Sequence, residues 1–439
     1  MQRRTFLRLG AAGLAAAPLR ADAKDAKIAA GGTLPDVVHS TTTVTRDPYP
    51  WHTNGVAHLP AWDGATSSES VPGSMRMFRG NLTGTYYGSG TVSERPKVLW
   101  KFRMSDFATK LRGRPVRWQG TGWTGQALTY GDYVFVGSVG GHVHCFEANT
   151  GKLTWVFAGE RMFKGSPCIY RNRLYIPCVD DHLRCLDAST GKLLWDWKGW
   201  ADIDSSPRVV DKRLYIGGED GDLKCFDPET GALVWKHAFG QGTGDYPGSD
   251  GIESSLAIAD GVAYFGHLDG NVRAYSLADR RVLWWNHLGV DVDASPLIVG
   301  DRLYVGVEEG APTFHCIDRH RGDGVWARDV PKGIWSSAAV SNGKHVIVGG
   351  NDGKLYCFDL ATGKDVWTFE IGAPTWASPQ VVDGKVMFGA FDESYRIVDA
   401  AKGKLIAKVD VGERCYSGAA IEDGKIWVGS ASGNFYCIG

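Results

Sequence analysis

Residues 185–195 read C-L-D-A-S-T-G-K-L-L-W, and this segment decides the fold because variants of it recur along the chain. The shared pattern is a small residue, an acid two positions later, then Thr-Gly-Lys and a final Trp. The copies begin at Cys145, Cys185, Cys225, Ala274, Cys316, Cys357, Ile397 and Cys437. Their offsets are 40, 40, 49, 42, 41, 40 and 40 residues, and a period near 40 through eight units predicts a repeat architecture.

One unit is enough to predict the local structure. Residues 205–210, 213–217, 223–226 and 232–235 are short apolar runs, and Asp- and Gly-containing turns separate them. Four such runs indicate an antiparallel meander of four strands. A sheet of this kind has two apolar faces, so it needs neighbours on both sides. Radial stacking of the copies satisfies this need and predicts an all-β propeller.

The two ends of the repeat region complete each other. Residues 97–102 (K-V-L-W-K-F) look like a fourth strand without its first three, whereas residues 417–439 contain three strands and no fourth. We therefore expect an eight-bladed β-propeller with four-stranded antiparallel blades, in which the N-terminal strand closes the ring. The inner strands should begin near Gly125, Gly165, Ser205, Ser254, Ala294, Ser336, Ala377 and Ser417.

This repeat resembles that of pyrroloquinoline quinone (PQQ) enzymes, whose eight-bladed propellers carry a tryptophan-docking motif. The resemblance covers roughly residues 96–439. The same repeat also builds propellers without enzymatic activity, including an outer-membrane assembly lipoprotein, so the resemblance implies a fold more than a reaction. Two copies depart from the pattern: blade four has Asp279-Arg280 in place of Thr-Gly, and blade seven has Ala407 in place of Trp.

The chain divides into three parts. Residues 1–23 are interpreted as a twin-arginine signal peptide, since Arg3-Arg4 precedes a short Ala-rich apolar stretch and an A-x-A cleavage motif. Residues 24–95 are an irregular N-terminal extension that should run over the propeller surface, and residues 96–439 form the PQQ-like β-propeller. A periplasmic or secreted location follows from this interpretation. Beyond the signal, no stretch is long and apolar enough to predict a transmembrane segment.

Composition excludes some functions. The formal net charge is -1, so neither sign dominates and nucleic acid is not expected as a partner. Six of the nine cysteines share one repeat position, which predicts buried free thiols rather than disulfides. Cys168 should face Tyr175 across a hairpin, which argues against a bridge to Cys178. His142 and His144 share a strand face, but other blades carry polar residues there, so a polar position is the simpler interpretation.

One column of the aligned repeats suggests a site. The residue before each inner strand should face the mouth of the central channel, and around the ring it is Thr124, Lys164, Asp204, Glu253, Asp293, Trp335, Trp376 and Tyr416. Trp123 and Arg414 lie beside this column. A polar arc opposite an aromatic arc suits a flat, polar or anionic ligand. Polar loops with aromatic plugs at a channel mouth would look the same. The Gly-rich insertion 240–251 on this face is either a tolerated loop or a lid.

The cofactor is unknown from the residues themselves, and no metal ligand is assigned. In the enzymes that the repeat resembles, PQQ lies on the channel axis, stacked on a Trp and held by Arg and carboxylates, with Ca²⁺ beside it. The resemblance therefore implies PQQ with Ca²⁺, for which Asp204, Glu253 and Asp293 offer oxygen ligands. The cofactor-binding residues of those enzymes do not match this sequence one for one.

Three functions remain open. The first is a periplasmic module that binds a small-molecule ligand or a periplasmic protein without chemistry. The second is a PQQ-dependent quinoprotein oxidoreductase, a dehydrogenase. The third is a hydrolase or lyase that acts on glycans with the acids of the ring. The absence of adjacent cysteines and of a C-x-x-C-H haem motif favours the first, and catalytic residues stay unknown.

Overall fold

A computed structural model describes residues 51–104, 107–111, 114–118, 125–239, 251–289, 291–431 and 433–439. Every regular element in these ranges is a β-strand, and none of them is a helix that could span a membrane. The strands form eight sheets in a ring, each built on four antiparallel strands, together with one separate hairpin. This is the predicted eight-bladed propeller. Residues 1–50, which include the predicted signal peptide, lie outside the described part.

The N-terminal segment contributes five strands: β1 (Trp51–Thr53), β2 (Ser74–Met75), β3 (Val98–Arg103), and the hairpin of β4 (Phe107–Leu111) and β5 (Arg114–Trp118). Blade one contains β6 (Leu128–Tyr130), β7 (Tyr133–Gly137), β8 (His142–Glu147) and β9 (Leu153–Ala158). Blade two contains β10 (Cys168–Tyr170), β11 (Arg173–Pro177), β12 (His182–Asp187) and β13 (Leu193–Lys198). Blade three contains β14 (Arg208–Val210), β15 (Arg213–Ile216), β16 (Asp222–Phe226) and β17 (Leu233–Ala238). Blade four contains β18 (Ala257–Ala259), β19 (Val262–Gly266), β20 (Asn271–Ser276) and β21 (Arg281–His287).

Blade five contains β22 (Leu297–Val299), β23 (Arg302–Gly306), β24 (Phe314–Asp318) and β25 (Gly324–Arg328). Blade six contains β26 (Ala339–Ser341), β27 (His345–Gly349), β28 (Lys354–Asp359) and β29 (Asp365–Glu370). Blade seven contains β30 (Gln380–Val382), β31 (Lys385–Gly389), β32 (Ser394–Asp399) and β33 (Leu405–Asp410). Blade eight contains β34 (Ala420–Glu422), β35 (Lys425–Gly429), β36 (Asn434–Ile438) and, as its outer strand, β3.

The repeated Trp docks one blade onto the next at every junction except that between blades seven and eight. Trp155 of blade one packs against Gly191 of blade two, and its indole N–H donates to the Ala188 carbonyl at 3.0 Å. The glycine has a φ of 72°, and a Cβ there would lie 2.5 Å from the indole ring. Only glycine combines this left-handed conformation with such a close approach. The same arrangement recurs in the Trp–Gly pairs Trp100–Gly151, Trp195–Gly231, Trp284–Gly322, Trp326–Gly363 and Trp367–Gly403.

Both departures from the motif have a structural explanation. Arg280 of blade four adopts a φ of 54°, and its guanidinium lies 5.7 Å from the ring centre of Trp235. A cation over an indole face replaces the missing glycine. A Trp at position 407 would dock onto the last turn of blade eight. Blade eight has no such turn, because Lys97 and Gly439 from distant parts of the chain meet there through two backbone hydrogen bonds.

Residues 75–89, which we call the crossing segment, cross the far end of the central channel. The segment bonds the inner strands of blades one, two and four: Met75 pairs with Thr129, the Arg76 carbonyl accepts from Ile169, and the Leu82 carbonyl accepts from Ile258. Further along, the Tyr87 hydroxyl and the Ser89 backbone reach blades six and eight. The segment therefore covers the channel end as well as the outer surface, because its carbonyls and amides satisfy inner-strand groups that would otherwise face the opening.

Two buried arginines fix this crossing. Arg79 donates to the carbonyls of Ala338 and Pro379, and Arg208 donates to those of Leu256 and Phe78. Burial lowers the pKa of Arg208 to about 10, so the charged form is retained at neutral pH. The four carbonyls come from four places in the chain, and the arginines therefore hold the crossing segment to several blades at once.

All nine cysteines lie in the described part of the chain, where each is buried and none forms a disulfide. Cys168 lies opposite Tyr175, which confirms the predicted register. Burial raises the pKa of the repeated thiols, for instance that of Cys225 to about 11. They serve as small apolar residues within the sheets.

Candidate ligand site at the channel mouth

The residues before the inner strands meet around the mouth of the channel. Lys164, Asp204, Glu253, Asp293 and Trp335 line one cavity of about 80 Å³. Below them the same cavity is lined by six serines and Phe78: Ser166, Ser206, Ser255, Ser295, Ser337, Ser378 and Phe78. Because Phe78 belongs to the crossing segment, the cavity is a blind pocket that opens at the mouth.

The serines hold the blades in register around the axis. Each hydroxyl oxygen accepts the N–H of the equivalent residue in the preceding blade, as when Ser206 N–H donates to the Ser255 hydroxyl at 3.0 Å. Equivalent bonds of 2.7–3.2 Å from a backbone N–H to a serine hydroxyl begin at Gln126 of blade one and continue from blade to blade as far as Ser378 of blade seven. This ladder places the mouth residues of neighbouring blades at a fixed height, so side chains from five blades converge.

The polar half of the mouth is more acidic than the sequence column indicated. Lys164 forms an ion pair with Asp204, whose side chain is 7 % exposed. Single oxygens of Asp204, Glu219 and Glu253 lie within 4.8 Å of one another. Burial alone would lower the pKa of Lys164, but Asp204, Glu219 and Glu253 raise it well above its usual value, so Lys164 stays charged.

The sequence column missed four further acids. Glu219 and Glu308 come from the turns between the second and third strands of blades three and five, and both are more than nine-tenths buried. Asp202 and Asp291 lie two residues before column positions, and their carbonyls accept from Glu219 N–H and Glu308 N–H. The equivalent turn position in the other blades is largely apolar: Val139, Val179, Leu268, Phe391 and Ala431. Two glutamates at this position could therefore have been recognised from the sequence as site candidates.

The buried acids at the mouth outnumber the positively charged side chains that the structure describes beside them, and burial and this imbalance raise the pKa values of several of them. Burial and then Asp204 raise the pKa of Asp202 to about 6, and burial raises that of Glu253 to about 7 although Lys164 acts the other way. Burial, Asp291 and Glu253 raise the pKa of Glu308 to about 8. Burial with neighbouring carboxyls also holds the pKa of Glu219 and Asp293 well above its usual range. The site therefore costs stability while it stays without a further cation.

The other half of the mouth is an aromatic stack. The rings of Trp335 and Trp376 are 4.1 Å apart between centroids, and Trp376 also packs on Phe391 at 4.6 Å and on Tyr416 at 5.6 Å. Arg414 lies over Phe391 at 5.4 Å, with Nη1 donating to the Tyr416 hydroxyl at 3.4 Å. Arg414 thus belongs to the aromatic half and does not meet the acids.

Not every predicted residue reaches the cavity. Trp335 lines it, whereas Trp376, Arg414 and Tyr416 do not; Trp376 packs between Trp335 and Tyr416. Trp123 and Thr124 lie outside the described residues, as does the insertion at 240–250. The structure brings together the acids of blades three to five and places the aromatic stack beside them.

Fold and site together define an eight-bladed propeller of PQQ-type repeats with a blind channel. Residues 91–328 and 313–435 match the family model described as outer membrane protein assembly factor BamB, and the chain belongs to that family. No curated protein sequence matches the chain.

Among solved structures, the quinohemoprotein alcohol dehydrogenase from Comamonas testosteroni has 13% identity and a TM-score of 0.70, with 83% of this chain and 80% of that chain covered. A europium-containing methanol dehydrogenase has 15% identity and a TM-score of 0.63, with 84% and 98% covered. The computationally designed Ika8 protein has 18% identity and a TM-score of 0.60, with 73% and 96% covered. At these identities the likeness concerns the fold alone.

The mouth does not fit PQQ, the quinone that the repeat resemblance implies. PQQ is a flat tricarboxylate, and here it would face the carboxyls of blades three to five with Lys164 already paired to Asp204. The cavity of about 80 Å³ is well below the roughly 300–1,000 Å³ of ordinary ligand pockets. The flat slot that a quinone needs is also filled, because Trp335 and Trp376 pack on each other. Charge, volume and stacking therefore all disfavour it.

Proposed function

We propose that this chain is an exported binding module whose channel mouth takes a ligand through a positively charged group. The converging carboxyls carry the proposal. Among the described residues, Asp202, Asp204, Glu219, Glu253, Asp293 and Glu308 meet near one opening. Against them stand Lys164 and the half-exposed Arg161, which pairs with Asp202 at 3.3 Å. Buried acids without counter-charges oppose folding, so their use lies in binding.

Export is part of the proposal. We propose that residues 1–23 direct twin-arginine export and that the propeller acts in the periplasm or outside the cell, on a small-molecule ligand or a periplasmic protein. Fractionation of cells that produce the tagged chain, with and without an Arg3→Lys/Arg4→Lys change, tests this. Retention of the unprocessed double variant in the cytoplasm supports export, and equal processing of both forms contradicts it.

A cation titration tests the binding proposal. Purified protein at pH 8 is heated with Ca²⁺, La³⁺, an alkylammonium or an alkylguanidinium salt, each matched for ionic strength with NaCl. We expect at least one of these cations to raise the unfolding temperature of the wild type, and to raise that of Glu253→Gln by less, because Glu253 contributes negative charge next to Asp293 and Glu308. Glu370→Gln is the control, because Glu370 is 70 % exposed beside Lys354. If none of the cations stabilises the wild type more than NaCl does, the proposal fails.

A PQQ-dependent dehydrogenase is the second candidate. The carboxylates of Asp204, Glu219 and Glu253, which could bind Ca²⁺, favour it, although the charge, the volume and the packed aromatic rings of the mouth oppose it. Protein mixed with PQQ and Ca²⁺ and then desalted is examined by absorption spectroscopy. A quinone band that survives desalting in the wild type and is lost in Trp376→Ala would favour the enzyme. A spectrum without that band would exclude it and leave the binding module.

A further inference from the structure

The acids of the mouth fall into two groups that differ in charge balance. In the first group, the Lys164 ammonium forms an ion pair with Asp204 and is also attracted electrostatically by the carboxylates of Glu219 and Glu253. These three carboxylates have oxygen atoms close enough to share a metal ion. The lysine already supplies the positive charge that a metal would bring, and it would have to leave before an ion could enter.

The second group, which we call the blade-five corner, consists of Asp293, Glu308 and Trp335. Glu308 is 7 % exposed and forms no ion pair within 4.0 Å with any described residue. One carboxylate oxygen of Asp293 is buried without a hydrogen-bond partner, and so is the indole N–H of Trp335. The Trp335 N–H lies near enough to the Glu308 carboxyl to lower its pKa slightly, whereas burial and the neighbouring carboxyls raise that pKa. The corner thus holds two carboxyls that form no ion pair within 4.0 Å with a described residue, although Lys164 acts on Asp293 from farther away.

We propose that the blade-five corner binds an organic cation, an alkylammonium or alkylguanidinium group, against the Asp293 and Glu308 carboxyls and the Trp335 ring. This rests on the proposed function and specifies its ligand class. Carboxylates supply the charge-assisted hydrogen bonds that such heads require. An indole face adds a cation–π contact, which bare metal ions in proteins do not use as a ligand.

The size of the cavity supports a head group rather than a whole ligand. About 80 Å³ holds a few water-sized groups. Asp293 and Trp335 line this space, and Glu308 lies next to Trp335 just outside its lining. An ammonium or guanidinium head fits the space, which the serines and Phe78 also line. The remainder of the ligand would then extend through the mouth past the aromatic stack, where Trp376 and Tyr416 offer an apolar wall.

The experiment compares probes on the full chain. Binding of n-butylguanidinium and n-butylammonium is followed by intrinsic fluorescence at pH 8 and constant ionic strength, with 1-butanol as the uncharged probe and CaCl₂ as the metal probe. We expect saturable binding of the organic cations and none of butanol. Asp293→Asn and Glu308→Gln should each weaken binding by about tenfold or more, since each removes a charged hydrogen-bond partner. Asp323→Asn, on an exposed turn of the same blade, should leave it unchanged.

A fourth variant separates the two groups of acids. Lys164→Met should retain the organic cations and should gain Ca²⁺ binding at Asp204, Glu219 and Glu253, which the wild type lacks. Ca²⁺ binding to the wild type without binding of either organic cation would overturn the inference and leave the proposed function standing. Binding of neither class would overturn both. Organic cation binding that survives both Asp293→Asn and Glu308→Gln would place the ligand elsewhere and also refute the inference.

Discussion

Replacing Glu253 by Gln should stabilise the propeller at pH 8 and change it little at pH 5. The pKa of Glu253 is raised from 4.5 to about 7, chiefly by burial. A raised carboxyl pKa means that the folded protein keeps a proton that the unfolded chain releases. Its contribution to stability is therefore complete below pH 4.5 and is lost as the pH rises through 7. At about 1.4 kcal/mol per pKa unit, the raised pKa of Glu253 costs about 3 kcal/mol at pH 8, where the folded group is ionised, and about 1 kcal/mol at pH 5, where it is protonated.

Urea unfolding followed by tryptophan fluorescence measures this difference. Wild type, Glu253→Gln and the exposed control Glu370→Gln are unfolded at pH 5 and pH 8, and the slopes are compared to confirm that the same surface is exposed. We expect Glu253→Gln to gain about 2 kcal/mol more at pH 8 than at pH 5, and the control to follow the wild type. A loss of stability in Glu253→Gln at pH 8, or an equal gain at both pH values, would refute the reasoning about the acid cluster.

Three further predictions concern the packing of the blades. Gly191→Ala should lower the free energy of unfolding by about 1–3 kcal/mol more than Gly261→Ala, because both glycines have φ near 70° but only Gly191 contacts a Trp ring; equal losses would contradict the docking role of Trp155. Trp100→Ala should cost about 3–5 kcal/mol in urea unfolding, whereas Trp200→Ala, at 53 % exposure, should cost about 0.5 kcal/mol or less; comparable losses would mean that β3 does not hold blade eight. A thiol reagent should label few cysteines in the native protein and nearly all nine after denaturation, and mass spectrometry that finds intramolecular disulfides would disprove the free-thiol assignment.

The repeat made much of the fold predictable. Each turn, strand and docking Trp recurs about forty residues after its predecessor. A pattern that would be weak evidence in one blade is therefore supported by the equivalent positions of the other blades. The register of a single hairpin, such as Cys168 opposite Tyr175, followed from strand and turn lengths. The crossing segment has no repeat, and hence no register could be assigned to it. Its contacts with distant blades depend on carbonyl groups, such as that of Ala338, which no sequence pattern reveals.

The site was predictable in position and only partly in chemistry. A column of residues before the inner strands identified Asp204, Glu253 and Asp293, because a propeller brings equivalent positions to one axis. Glu219 and Glu308 escaped notice since acids are ordinary in turns, and only the three-dimensional structure shows that they lie beside the mouth residues Glu253 and Trp335. The balance of positive and negative charge at the mouth could not be predicted from the sequence either. Arg414 precedes a column position in the chain, yet its side chain lies over Phe391 on the aromatic half.

The pairing of β3 with β36 has a consequence for the order of events during synthesis. Arg103 leaves the ribosome early, and its partner Asn434 follows only after all the intervening blades. At roughly 5–20 residues per second, this wait lasts tens of seconds. During that time β3 has no partner strand to hold Trp100 against the Ala148 carbonyl of blade one. A nascent chain of this kind has an unprotected edge until translation reaches its last strand, and chaperones that bind such edges would be needed most at this stage.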